Sequence, residues 1–356
     1  MSIFLAYLCE NLRFNGMLTD HNNVKTKTML IFLIALSLVF DFLNGLHDSS
    51  NIVATVISSR ALQPRIALIL TAIGEFVGPF LFGVAVAKTV GEDLLVPDVI
   101  TLEVMVSALV GAISWNLITW FFGIPSSSSH ALVGGLLGAA IIADGPTVVQ
   151  LPGLTKILLA LFISPPAGLL AGYLVTKVIY FLTRNAGPRI NSFFRKSQIV
   201  TALGLALSHG ANDAQKTMGV ITLGLLSSGK ISSFEVPLWV VFAAATSIAL
   251  GTSFGGWKLI KTLGGRIIKV RPVHGFASQI AGASVILGAA LLGGPVSTTQ
   301  VMSTTIMGTG AAESIKKVRW QVGKDMLIAW GLTIPTAGVI STLCYLVIHY
   351  ISGLIA

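Results

Sequence analysis

The sequence predicts an all-α integral membrane protein made of two inverted-topology repeats. Three observations lead there: an apolar composition, apolar runs of spanning length, and a motif that occurs twice. Of 356 residues, 54% are hydrophobic and 10% charged, and the mean hydropathy is +0.85. Soluble domains carry about 25% charged residues, so a globule of this composition could not cover itself with polar groups. Runs of about 20 apolar residues recur without strand alternation, which favours helices over a barrel. Two stretches, 44–51 (NGLHDSSN) and 209–216 (HGANDAQK), interrupt such runs, and Asp48 and Asp213 stand 165 positions apart.

In the first half the runs are 29–58, 66–87, 100–122, 126–143 and 154–183. In the second they are 199–227, 237–257, 273–292, a helix-like stretch up to Gly310, and 326–351. Five crossings per half, about ten in all, make the second half an inverted copy of the first, as in many secondary transporters. The interruptions at 44–51 and 209–216 predict broken helices. The run 126–143 is short for a full span and predicts a re-entrant half-helix. The division is a tail over 1–28, repeat 1 over 29–183, a basic linker over 184–198 and repeat 2 over 199–356. The run 3–14 fits an interfacial helix.

Charge orients the chain. Loops 59–65, 184–197, 258–271 and 312–324 hold fifteen of the 23 Lys and Arg, whereas 88–99, 144–156 and 228–235 hold three. Basic loops stay in the cytoplasm, which places both termini outside a multi-pass cell-membrane protein. The basic residues form no nucleic-acid face. Cys9 and Cys344 lie near opposite ends and are expected to be unpaired. The start lacks a signal-peptide pattern, and no Walker-type loop couples the chain to ATP.

Two further matching stretches, PSSSSH at 125–130 and PVSTTQ at 295–300, join a proline to clustered hydroxyls and a helical run; Pro125 and Pro295 are 170 apart. Ser and Thr cap helix starts, where backbone N–H groups lack partners. Such a start inside the membrane is an anion site. Two of them facing one another would surround a small tetrahedral oxyanion with donors from Ser126, Ser127, Ser128, Ser129, Ser297, Thr298 and Thr299.

Asp48, Asp213 and Glu75 are acids within apolar runs, which marks them as functional candidates. Asp41 is a further one, but position 206, its repeat counterpart, is Ala. Two carboxylates about 5 Å apart repel by about 3 kcal/mol at an effective dielectric of 20. Cations on these acids, held also by Asn44, Asn51, Asn212 and unwound carbonyls, would remove that repulsion and admit an anion beside them. Sodium suits such hard oxygens, and protonation of the acids is the alternative. Lys216 would neutralise Asp213 or the substrate. A metal reading of His47, His130, His209 and His274 lacks paired ligand spacing, and a serine hydrolase lacks its strand–turn elbow.

These motifs resemble those of the inorganic phosphate transporter (PiT) family. Its Gly-Ala-Asn-Asp signature is intact at Gly210, Ala211, Asn212 and Asp213, followed by Gln215 and Lys216; in the first half His47 replaces the usual Asn. The family's Gly-x-Pro-x-Ser-x-Thr-His motif is similar to 123–130 and 293–300, with Gln300 in place of His. Glu75 falls where the family carries a transport glutamate, and the resemblance makes Gln279 its counterpart. The resemblance implies inorganic phosphate as cargo, with Gln215 and Lys216 added to its donors, and sodium or protons as driving ion. The resulting expectation is a sodium-driven phosphate symporter with no resident cofactor. Asn44, Asp48, Asn51, Glu75, Asn212, Asp213 and Gln279 would hold sodium. A proton-coupled carrier of phosphate or metal-phosphate and an anion channel are the rivals, and a homodimer is the assembly considered.

Overall fold

Helix α1 (His21–Ser58) opens the described chain and has its twin in α7 (Ile190–Ser227), each 38 residues long. The computed structural model describes residues 21–97, 100–124, 126–257, 260, 265 and 267–355. The run 3–14, Cys9, Pro125 and much of the basic segment 258–271 lie outside them. After α1 come α2 (Pro64–Leu81), a short α3 (Ala85–Lys88) with a π turn (Thr89–Asp93), α4 (Leu102–Phe122), α5 (Ser128–Asp144) and α6 (Leu151–Leu182). The second half repeats the order with α7, α8 (Leu238–Phe254), α9 (Pro272–Leu291), α10 (Thr298–Glu313) and α11 (Trp320–Ile355). Six of these helices are long and apolar enough to cross a membrane, and no strand occurs among the described residues. Residues 21–28 continue α1 rather than forming a separate tail, and α7 begins inside the stretch read as a linker.

The long helices differ from expectation at the motifs. Both α1 and α7 run unbroken through 44–51 and 209–216, so their carbonyls are not unwound there. The glycines serve close approach instead. A Cβ on Gly45 would lie 2.1 Å from Ile248 O of α8, and one on Gly210 would lie 2.3 Å from Glu75 O of α2. Small residues are what lets membrane helices pack backbone to backbone. Each first helix thus packs on the second helix of the other repeat. The same exchange recurs later: Gly134 of α5 meets Ile334 O of α11, and Gly308 of α10 meets Leu169 O of α6.

The breaks fall elsewhere. Gly83 separates α2 from α3, and Gly123 and Gly293, at φ +67° and +71°, turn the chain between α4 and α5 and between α9 and α10. A left-handed turn of this kind is the usual place for glycine. Each pair forms a helical hairpin. The base of the first is tied by the Leu95–Val149 bridge, and that of the second by Arg319 N donating to Ile267 O. The tip of the first lies beside Val322, Asp325 and Met326, next to the base of the second. The tip of the second lies beside Ala85, Thr89 and Lys156, next to the base of the first. The hairpins therefore enter from opposite faces, and the repeats are inverted. Each hairpin starts and ends on one face, which leaves the odd parity of a repeat unchanged.

Outside this centre α6 and α11 present exposed Phe162, Ile163, Leu170, Leu174, Leu327, Leu332, Val339 and Leu343. That is the surface hydrocarbon requires. Cys344 is a free thiol on α11.

Gly45→Ala should destabilise the fold by about 1–3 kcal/mol, the usual cost of overpacking, because the contact is with backbone. Thermal unfolding of purified protein in detergent reads this, and an unchanged midpoint would contradict the α1–α8 packing.

Candidate functional site

The hairpin tips deliver two helix starts to the same place. Ser127 Oγ accepts from His130 N (3.2 Å) at the start of α5, and Ser297 Oγ accepts from Gln300 N (3.4 Å) at the start of α10. The first regular helical bonds are Ala131 N to Ser127 O and Val301 N to Ser297 O. The N–H groups one turn earlier are therefore directed out of the helices. Ser129 Oγ donates to Val296 O (2.9 Å), and Gln300 Nε2 lies 3.5 Å from His130 Nε2. Equivalent positions of the two repeats thus meet, so their approximate two-fold passes through this point.

The acids of α1 and α7 are at the same depth. Asp48 Oδ1 accepts from Thr299 Oγ1 (2.7 Å) and lies 3.1 Å from His47 Nδ1. Its Oδ2 accepts from Thr298 Oγ1 (3.2 Å) and Ser128 Oγ (3.5 Å). Asp213 Oδ2 approaches the same Thr298 hydroxyl at 2.9 Å, and its Oδ1 pairs with Lys216 Nζ. Both carboxylates are at most 1% exposed. A hydroxyl has one proton to give, so Thr298 satisfies one of the two carboxylates at a time.

Lys216 also donates to Ser129 Oγ (2.6 Å) and Val296 O (2.9 Å). Its repeat equivalent, Asn51, donates through Nδ2 to Thr299 Oγ1 (3.1 Å). Asn212 Nδ2 donates to Gly294 O (3.0 Å). The Oδ1 atoms of Asn51 and Asn212 are buried without a hydrogen-bond partner.

Two residues central to this cluster are missing from the sequence-derived set. His209 lies between the acids, with Nδ1 2.9 Å from Glu75 Oε1 and Nε2 3.1 Å from Asp213 Oδ2 and 3.9 Å from Asp48 Oδ2. The 165-residue offset sets it opposite Asn44, a correspondence that was readable. Thr252 donates to Glu75 Oε2 and to Gly45 O (3.1 Å). The matching contacts of the two repeats, Gly78 on Leu207 O and Gly251 on Phe42 O, set Thr252 opposite Pro79 of α2 rather than opposite Glu75, so no offset pointed to it. One atom each from Asp48, His209 and Asp213 lies within 4.8 Å of the others, a spacing that suits a shared cation.

Four expected ligands are not brought to this cluster. Gln279 sits on α9, donating to Thr55 Oγ1 (3.1 Å) and accepting from Thr201. It belongs to a different helix of the repeat from the one that matches Glu75. Gln215 holds the start of α3, accepting from Val86 N (2.8 Å) and Ala87 N (3.2 Å) and donating to Gly83 O and Ala211 O. With both ends of its amide engaged, it has no donor left for an anion. Asn44 makes no hydrogen bond through either side-chain atom. Ser126 bonds Thr119 Oγ1 (2.7 Å) behind the tip.

Comparison with known proteins gives this site a context. The family model described as "Phosphate transporter family" matches residues 44–341. A probable low-affinity inorganic phosphate transporter of Bacillus subtilis (strain 168) is 44% identical over 329 residues, covering 91% of this chain and 98% of the relative. One from Rhizobium meliloti (strain 1021) is 45% identical over 319 residues, covering 89% and 96%. The solved structure of a sodium-dependent phosphate transporter superposes with a TM-score of 0.82 at 26% identity, covering 91% of this chain and all of that one. The chain belongs to the phosphate transporter family and is a membrane transporter of phosphate, not an enzyme.

Proposed function

We propose that the chain is a sodium-driven symporter of inorganic phosphate in the cell membrane, with both termini outside. The observation that carries this reading is the Thr298 hydroxyl held between Asp48 and Asp213 where two helix starts meet. A phosphate arriving there meets two buried acids and hydroxyls already committed to them. A cation on the carboxylates changes both conditions. It cancels the repulsion, and it takes over the lone pairs that Ser128, Thr298 and Thr299 now occupy. Those hydroxyls then turn their protons to the anion, together with Ser129, Lys216 and the N–H groups of the two helix starts. Cation and anion sites are thus linked through the same three hydroxyls.

The donor set suits sodium. Asp48 and Asp213 supply carboxylate oxygens, and the unpartnered Oδ1 atoms of Asn51 and Asn212 supply carboxamide oxygens. Hard oxygen ligands favour hard cations. The solved relative, a sodium-dependent phosphate transporter, supports the same choice. Proton coupling has its own supporting observation, namely His209 in contact with all three acids. Imidazole is the side chain that most readily changes charge near neutral pH. Uptake into proteoliposomes separates the two. Sodium coupling predicts accumulation under an imposed sodium gradient without a pH gradient; accumulation under a pH gradient alone would contradict it.

Asp48→Asn should abolish uptake while leaving a monodisperse, folded protein, and normal uptake would reject the role of Asp48. Thr299→Ala should weaken phosphate binding about tenfold, the scale of one charge-assisted hydrogen bond, when phosphate is titrated at saturating sodium. An unchanged titration would move the anion site elsewhere. Lys216→Met leaves Asp213 buried without its cation and should cost about 3–5 kcal/mol of stability. Adding Asp213→Asn should restore much of that loss, and strict additivity of the two changes would deny the pair.

A further inference from the structure

A second group of polar side chains lies along the same two long helices and takes no part in the cluster above. Asp41, Asn44 and Asp48 are spaced three and four residues apart, so they share one face of α1. Thr217 lies four residues beyond Asp213 on α7 and shares that acid's face. The helices pack together, and as twins of inverted repeats they run in opposite directions. Going back from Asp48 to Asp41 on α1 and on from Asp213 to Thr217 on α7 therefore moves the same way. Asp41 lies seven residues from Asp48, which is about 10 Å along a helix.

Asp41 and Asn44 are 0% exposed and Thr217 is 1% exposed. Both carboxylate oxygens of Asp41, both amide atoms of Asn44 and the hydroxyl of Thr217 lack hydrogen-bond partners. Thr217 is the hydroxyl that faces Asp41, and the charged groups it feels are Asp213, Glu75 and Lys216. An isolated buried carboxylate costs several kcal/mol. The fold itself does not call for one here. The repeat equivalent of Asp41 is Ala206, whose methyl group packs against Gly74 of α2. A carboxylate, a carboxamide oxygen and a hydroxyl oxygen are hard donors of the kind that bind sodium.

Resting on the cation-coupled reading above, we propose that Asp41, Asn44 and Thr217 form a second sodium station, in series with the Asp48–Asp213 centre and about two helical turns from it. An ion here offsets a charge that the substrate centre leaves unbalanced.

Radiolabelled sodium bound per protomer, measured on purified wild type, Asp41→Asn, Asp41→Glu, Thr217→Val and Asp48→Asn, tests this. Asp41→Asn should bind one sodium ion fewer than wild type, and Asp41→Glu should keep it. Thr217→Val should weaken one ion about tenfold, which carries the test should Asp41→Asn fail to give monodisperse protein. Undiminished sodium binding by folded Asp41→Asn, or an unchanged sodium isotherm for Thr217→Val, would overturn the proposal. Should Asp48→Asn alone lose sodium, only the second station falls. Should wild type bind no sodium, the coupling reading falls with it.

Discussion

Negative charge in a place without water is the constraint from which the rest of this structure follows. Asp48, Asp213 and Glu75 are buried beside one another at the depth where two helix starts converge. Every feature around them answers that charge: Lys216 on Asp213, His47 on Asp48, His209 among all three, and hydroxyls of both hairpin tips donating to the carboxylates. The hairpins have to turn inside the protein to bring Thr298 and Ser128 there. The long helices have to approach within backbone contact of α2 and α8 to hold the acids in register, which is why Gly45 and Gly210 cannot carry a side chain.

Duplication supplies the scaffold and divergence supplies the chemistry. Lys216 and Asn51 occupy equivalent positions and reach equivalent hydroxyls, Ser129 and Thr299, but only one brings a charge. Glu75 is matched by Ile248, and His209 by Asn44. The two halves thus present the same geometry with unlike charge. A cation and an anion need different surroundings within a few ångströms, and a two-fold frame with unequal side chains meets that need. The backbone exchange between repeats, with α1 on α8 and α7 on α2, fixes both halves against each other at the point where their side chains differ.

Much of this was legible in the residues. Apolar run length gave the helices, charge bias and parity gave the inversion, and the recurrence of Asp48 at Asp213 and of Ser127 at Ser297 marked the site. The sequence misled where one residue type serves two ends. Glycine within an apolar run reads as a break, yet at 45 and 210 it permits close packing inside continuous helices. Gln215 beside the signature acid reads as a ligand, yet its amide caps α3, a contact 129 residues away that no local pattern encodes. The resemblance makes Gln279 the partner of Glu75, yet Gln279 lies on α9; the packing of Gly210 on Glu75 and of Gly45 on Ile248 gives that place to Ile248 of α8. His209 was weighed only as a metal ligand, because its place depends on three acids from three helices, Asp48 of α1, Glu75 of α2 and Asp213 of α7, converging on one ring.

Equilibrium phosphate binding to the purified protein, titrated at a series of sodium concentrations and at fixed pH, bears on this account most directly. Shared hydroxyls between cation and anion sites predict that phosphate affinity rises with sodium. They also predict that sodium affinity rises with phosphate by the same factor, as linkage requires. A phosphate affinity that stays constant from sodium-free buffer to saturating sodium would contradict it.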